Sequence, residues 1–595
     1  QNPVAQLASG YQDNFRSTVV AALEFEQKLN FITEGLRFKA LASFKNWSST
    51  TNSASAGWNK YHLQDFSVDD NGVYSFVTRL QNESGGEVST DLKPGVANSG
   101  DRRFYFQAIM DYNRTFGKHD VNAMFIYNQD ELVTQLFSGD LIAALPKRKQ
   151  GVAARLSYAY DGKYLAEVNM GYNGSENFAK GHRWGFFPSI AVGYNISEEA
   201  FFEPLKNVFS NMKIRASWGL VGNDNIGGAR FVYMPTINLT GTGYTTGLDG
   251  DITYKGPVYS RYGNPEVTWE VGKKVNVGLD LQLFNSLNLT MDYFHETRTD
   301  IFQERGTIPQ YLGTAGTKVF GNLAAMKNQG FDFAADFNKK IGKDWFISFK
   351  GTFTYAHNEI TKYDESPKYA FQSKVGQSAN IPSIMISDGL FKDPDDVKNS
   401  NQQIGGNLSA GDIKYVNISK LYGYDDDIVD ISDWVWAKNP TVPEIVYGFG
   451  PSIRWKNLDF SFFFQGVAKV SLVMSDFHPF GDNSLRNVLT WIADDRWSPD
   501  NQNINATYPR LTRDTSVNNT QRSDYWLRNA AFIKLKNAEI GYTYKNMRFY
   551  VSGMNLATFS PFKHWDPEQG GGNGLKYPTQ RVFNFGFQMT INNNR

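Results

Sequence analysis

The strongest constraint on this chain is a period of two held over long stretches. Val275, Val277, Leu279, Leu281 and Leu283 alternate with Asn276, Gly278, Asp280 and Gln282. Met212, Ile214, Ala216, Trp218 and Leu220 alternate with Lys213, Arg215, Ser217 and Gly219, and Tyr164, Ala166, Val168, Met170 and Tyr172 with Leu165, Glu167, Asn169 and Gly171. Successive side chains of a strand point to opposite faces, so each segment has one apolar and one polar face. The segments run about 9–13 residues, beyond the usual 5–6 of soluble strands and close to what a tilted membrane strand needs. Roughly 18 of them follow one another, joined alternately by short and long connections. That is the pattern of an all-β, transmembrane antiparallel barrel with short periplasmic turns and long extracellular loops.

Composition agrees where it bears on the question. No stretch nears 18 consecutive apolar residues, which excludes helical spans. Aromatic residues make up 15% of the chain, enough for girdles at both membrane interfaces. The 60 basic and 60 acidic residues cancel, against a nucleic-acid partner. Cysteine is absent, which fits an exported protein without disulfides. The first residues, Gln1-Asn2-Pro3-Val4, are polar, so the chain is expected to be either a mature form or a fragment of something longer.

Turn chemistry punctuates the pattern at Asp161-Gly162-Lys163, Phe284-Asn285-Ser286, residues 340–344 and Trp455-Lys456-Asn457. Polar stretches 222–263, 360–440 and 471–523 read as long surface loops carrying Trp and Tyr. The last alternating run, Phe583 to Ile591, has the aromatic character of an outer-membrane assembly signal, followed by the polar tail Asn592-Asn593-Asn594-Arg595. A soluble all-β glycan-binding protein is the competing fold. A propeller would repeat every 40–50 residues or so, and no such repeat is present.

Several motifs, in shared order, resemble the barrel of SusC/RagA-type TonB-dependent outer-membrane transporters of Bacteroidetes. They are His182-Arg183-Trp184-Gly185-Phe186-Phe187-Pro188-Ser189, Lys213 to Asn223, Asn264-Pro265-Glu266-Val267-Thr268-Trp269-Glu270 and Gly321-Asn322 with Met326 to Phe331. Trp497-Ser498-Pro499-Asp500-Asn501, Trp526-Leu527-Arg528-Asn529-Ala530 and Val551 to Leu556 continue the series. Trp184, Phe186, Phe187 and Trp269 lie near strand ends, where girdle aromatics belong. Gly219, Gly222, Gly278 and Gly586 fall on or near the polar face, as sheet kinks or as places for an internal plug to approach.

The resemblance implies a 22-stranded, plugged barrel. It implies active import of a large nutrient, an oligosaccharide or peptide, energised through TonB acting on the plug. It also implies a SusD-like surface lipoprotein as lid, dimers of barrel–lid pairs, and a place in the cell outer membrane among its lipids. Residues 1–595 are expected to be the major C-terminal portion of such a barrel, entering near Phe15–Leu29, with the N-terminal plug and first strands missing. A structural or accessory subunit of a larger outer-membrane assembly, without transport, is the alternative. The segment from Gly411 to Asp433 stands where relatives place a calcium-type loop. Its Ile418 to Asp427 stretch breaks the required oxygen spacing, so a solvated acidic loop is expected there.

Catalysis finds no support. Asp494-Asp495 and Asp425-Asp426-Asp427 are adjacent loop carboxylates, and the seven His residues show no metal-binding spacing. Nucleophile-elbow, phosphate-loop and dinucleotide motifs are missing. No catalytic residue, cofactor or metal is expected, and no substrate-binding residue can be singled out.

Overall fold

In the computed structural model the described residues are 3–81, 86–134, 142, 145–227, 229–309, 311, 317–406, 408–424, 426–477, 480, 487–513 and 517–591. The tail 592–595 and Asp425, both weighed above, lie outside them.

Seventeen strands form one antiparallel meander. They are β1 (Gly10–Lys28), β2 (Leu36–Ser55), β3 (Lys93–Phe116), β4 (His119–Thr134), β5 (Lys147–Tyr160), β6 (Tyr164–Ser175), β7 (Trp184–Asn195), β8 (Phe209–Asn223) and β9 (Glu270–Leu283). The wall continues with β10 (Leu287–Glu304), β11 (Phe320–Ile341), β12 (Trp345–Lys362), β13 (Ile445–Trp455), β14 (Leu458–Ala468), β15 (Phe532–Tyr544), β16 (Met547–Phe559) and β17 (Val582–Met589). Each pairs with the strand before and after it, and among the described residues no pairing joins β1 to β17. Several strands exceed the expected length: β3 has 24 residues and β11 has 22. At about 3.4 Å per residue, 24 residues reach roughly 80 Å, far more than a bilayer's ~30 Å hydrocarbon core. The wall therefore extends well beyond a membrane.

Connections sort cleanly by end. At one end the strands join through short turns such as 161–163, 284–286, 342–344 and 456–457. Phe284 and Asn285 both take left-handed backbone angles (φ 52° and 50°), the geometry a two-residue hairpin needs to match strand twist. At the other end lie the long connections, including 224–269, 363–444, 469–531 and 560–581.

The two faces of the wall are chemically opposite. Leu156, Tyr158, Tyr160, Val168, Met170, Ile190, Val192, Val277 and Met291 are exposed on one face. A continuous apolar surface of this extent is a surface for lipid. Near the turn end, register lines up five rings and a leucine across it: Trp345, Trp455, Leu458, Tyr542, Phe549 and Phe587 are successive partners across six strands. Trp345 and Trp455 stack at 5.6 Å, and Tyr164 and Tyr194 at 5.2 Å. These are the interfacial rows that composition anticipated.

The opposite face carries matched charges. Arg215 reaches Asp292 (2.6 and 2.7 Å) and Asp280 (3.1 Å), and Arg548 holds Asp459 and Glu539. In both cases the guanidinium crosses a glycine on the intervening strand. A Cβ at Gly278 would overlap the Arg215 guanidinium, and one at Gly541 would overlap Arg548 and Asp459. Gly222 and Gly586 likewise receive the rings of Phe187 and Tyr550, and Gly219 receives Ser189. The four glycines noted in the sequence thus make room for this chain's own side chains.

Candidate functional site

The long loops read from the sequence are packed against one another. Segments 363–444, 469–531 and 560–581 fold together over the loop end around a buried core that includes Met385, Ile413, Tyr415, Ile492, Trp497, Tyr508, Trp526 and Phe562. Short ribbons close two of them, Ser383–Ile384 pairing with Val435–Trp436 and Ser471–Val473 with Leu527–Asn529, and single bridges join the segments, Met385 to Ser523 and Met474 to Gly572. Fully burying each large apolar side chain contributes about 1.5–3 kcal/mol, so this cap is held by the same force as a soluble domain.

Two buried carboxylates of the cap, Asp412 and Asp433, are hydrogen-bonded. Asp412, fully buried, accepts two bonds from Arg510 (2.7 and 3.1 Å), one from Asn519 Nδ2 (2.8 Å) and one from the Ser409 N–H (2.8 Å). Asp433, also buried, accepts from the Ser419 and Asp430 N–H groups. The segment read as a solvated acidic loop is therefore partly a core element. Its leading carboxylate, Asp412, turns to a guanidinium. Among the described residues no three His, Asp or Glu side chains group as metal ligands. Asp426 and Asp427 are exposed, as are Asp494 and Asp495 beside the short helix Thr490–Asp494.

His564 stacks on Trp491 at 4.3 Å, with its Nε2 lying 3.2 Å from the Tyr508 hydroxyl. Burial, with the nearby Arg528 charge, pushes His564 below the ordinary imidazole range. Burial also pushes the Tyr508 phenol up to about 12.

A second loop core joins Phe178, Ile226, Val232, Val267 and Trp269. Trp269 donates its indole N–H to the Arg183 carbonyl and packs edge-on against Phe187 at 5.3 Å. This corrects the girdle expectation for Trp269 and Phe187, which belong to the loop core. Trp184 and Phe186 do face outward, with Trp184 stacked on Tyr172 at 4.8 Å. Beside this core Arg230 clamps the chain below it, donating to the carbonyls of Ile142, Leu145 and Pro146 and to Glu176.

Two features of the loop end suit a polar, extended solute. Tyr422 and Tyr424 are exposed rings backed by Phe371 and Tyr369, each at 4.6 Å, which makes a stiff stacking surface. A cleft of about 650 Å3 opens between residues 379–382, Trp434, Thr441, 473–475 and 520–522. The sequence marked these loops as bearing Trp and Tyr but not which side chains meet, because each feature is assembled from segments apart in the chain.

The family model described as "TonB dependent receptor-like, beta-barrel" matches residues 5–556. The chain belongs to that family. As a barrel of this kind it lies in the outer membrane, where short turns face the periplasm and long loops face outward. Among similar proteins, "TonB-dependent receptor P3" of Formosa agariphila is 25% identical, over 97% of this chain and 58% of its own. "TonB-dependent receptor SusC" of Bacteroides thetaiotaomicron is 27% identical, over 73% of this chain and 43% of its own. The chain spans about half the length of the curated relatives it matches. Among solved structures, that of the RagAB peptide transporter matches at TM-score 0.69 and 19% identity, over 98% of this chain and 63% of the other. The receptor barrel thus shares its fold with that structure.

Proposed function

We propose that residues 1–595 form the barrel portion of a SusC/RagA-type receptor that actively imports a nutrient too large for simple pores, an oligosaccharide or a peptide. A SusD-like lipoprotein closes the outer mouth and TonB energises the cycle, acting through a plug. The observation that carries this reading is the folded cap over the open end of a wall whose inner face is polar. A structural barrel needs neither a charged interior nor a shaped mouth with a mixed cleft. The relatives' names agree: the curated ones are TonB-dependent receptors and the solved one a peptide transporter. We assign the barrel no catalytic step.

The test is a clean deletion of the gene in its host, with growth and labelled-oligomer uptake measured on defined peptide and glycan mixtures. Loss of uptake of one oligomer class, reproduced when TonB is disrupted, is the expected result. Unchanged uptake of every class, with disrupted assembly of another outer-membrane complex, would favour the accessory-subunit reading instead.

A further inference from the structure

We propose that the 650 Å3 cleft in the cap recognises a carboxylate-bearing oligomer, with Arg522 as the anchor. The inference rests on the import reading and names the chemical class of its cargo.

The argument begins with what lines the cleft. Asn380, Trp434, Thr441, Ser475, Thr520, Gln521 and Arg522 contribute, and no carboxylate is among the lining residues. Arg522 is its single charged group. Among the described residues neither a hydrogen bond nor an ion pair involves the Arg522 guanidinium. In a comparable cleft at the wall's rim, near Arg148 and Trp184, most charges are matched, Arg148 with Glu131, Lys149 with Asp224, Asp130 with Arg103 and Glu176 with Arg230, while Arg183 donates to the Phe178 carbonyl.

The position of Arg522 is rigid although its side chain is exposed. Its carbonyl accepts from the Met385 N–H at 2.9 Å, and Ser523, the next residue, is fully buried and bridged to Met385. Asp524, two residues on, accepts from the Ser387 N–H at 2.8 Å. The neighbours are tethered too. Thr520 Oγ1 and Gln521 Nε2 both donate to the Val517 carbonyl, Thr441 Oγ1 to the Asn380 carbonyl, and Ser475 Oγ to Asp476.

An unpaired guanidinium carried on a tethered backbone in a concave polar site matches a carboxylate, which it can hold through two parallel N–H bonds. Trp434 supplies an apolar wall for the rest of a repeating unit. Acidic sugars and acidic peptides share this chemistry, and the experiment separates them.

Calorimetry on the detergent-purified receptor would use trigalacturonate and triglutamate, with maltotriose and trialanine as neutral counterparts. One acidic probe is expected to bind at least tenfold more tightly than its neutral counterpart, with an affinity that falls as salt is raised. Arg522→Gln should erase that preference, whereas Arg522→Lys should keep part of it. Native heat-modifiable migration on gels checks that each variant is folded, and the salt titration of the unaltered receptor tests the idea without any variant. Equal binding of acidic and neutral probes, binding of neither acidic probe, or an unchanged preference in Arg522→Gln would overturn the proposal. If binding behaves as expected but the deletion strain still takes up the acidic oligomer, the import reading fails and the carboxylate site stands. Uptake lost without any acidic preference in binding has the opposite meaning.

Discussion

The wall and the cap of this barrel obey opposite rules of burial. In the wall, large apolar side chains such as Leu156, Val277 and Phe585 are exposed, and charges such as Arg215 and Asp292 face inward. In the cap, Met385, Ile413 and Phe480 are buried at 0–1% exposure, as in a protein that folds in water. One chain thus folds against two solvents. The backbone ladder and lipid hold the wall, since no strand can leave polar groups unpaired in hydrocarbon. Side-chain packing between segments distant in sequence holds the cap. The two should therefore fail separately.

The largest expected separation comes from the buried ion pair of the cap. Arg510→Leu leaves Asp412 charged, fully buried and short of two bonds. Losing one partner of such a pair costs about 3–5 kcal/mol. The cap loops should become cleavable in limited proteolysis while the barrel keeps its heat-modifiable migration. Melting of both together would show that cap and wall are one cooperative unit.

A smaller effect should appear in the wall. Gly278→Val puts a side chain where the Arg215 guanidinium lies, forcing it away from Asp292 and Asp280. Overpacking and a lost charged hydrogen bond suggest a cost of about 1–3 kcal/mol, read from urea refolding into lipid vesicles. The cap should keep its protease resistance. Gly278→Val in an Arg215→Ala background should cost less than in the parent, because the clash is gone.

The smallest concerns pH, which should touch the cap alone. The imidazole of His564 is depressed in the folded cap, so unfolded chain binds its proton first. Its contribution is whole above the unfolded value near 6.5 and is lost as pH falls from there through the folded value. Protease susceptibility of the cap should rise between about pH 7 and 5, and His564→Phe, which keeps a ring against Trp491, should flatten the rise. An equal rise in His564→Phe would assign the effect to other groups.

How far each region could be read from sequence follows from the same contrast. Strand alternation is local: Val275 to Leu283 declares both faces within nine residues, and Asp161-Gly162 and Phe284-Asn285 announce their turns. The wall, its direction and its short turns were legible for that reason. Alternation does not report height along the strand or what covers it, so Phe187 and Trp269 looked like girdle rings and are loop core. The cap was illegible because its contacts carry no period. Asp412 and Arg510 stand 98 residues apart, and Tyr415 meets Asn518 across 103. Arg522 resembled any loop arginine, since what distinguishes it is the carboxylate-free cleft that it lines, which only folding assembles.

The glycine crossings on the inner wall carry a last consequence. Each lets one cation lie flat against two acids, on the glycine's own strand and the next, so every such trio keeps one net negative charge held close to the wall. An anionic solute passing such a trio is pushed off the wall instead of settling on it. Selection by grip then belongs to the entrance, and the conduit behind it works best by letting go.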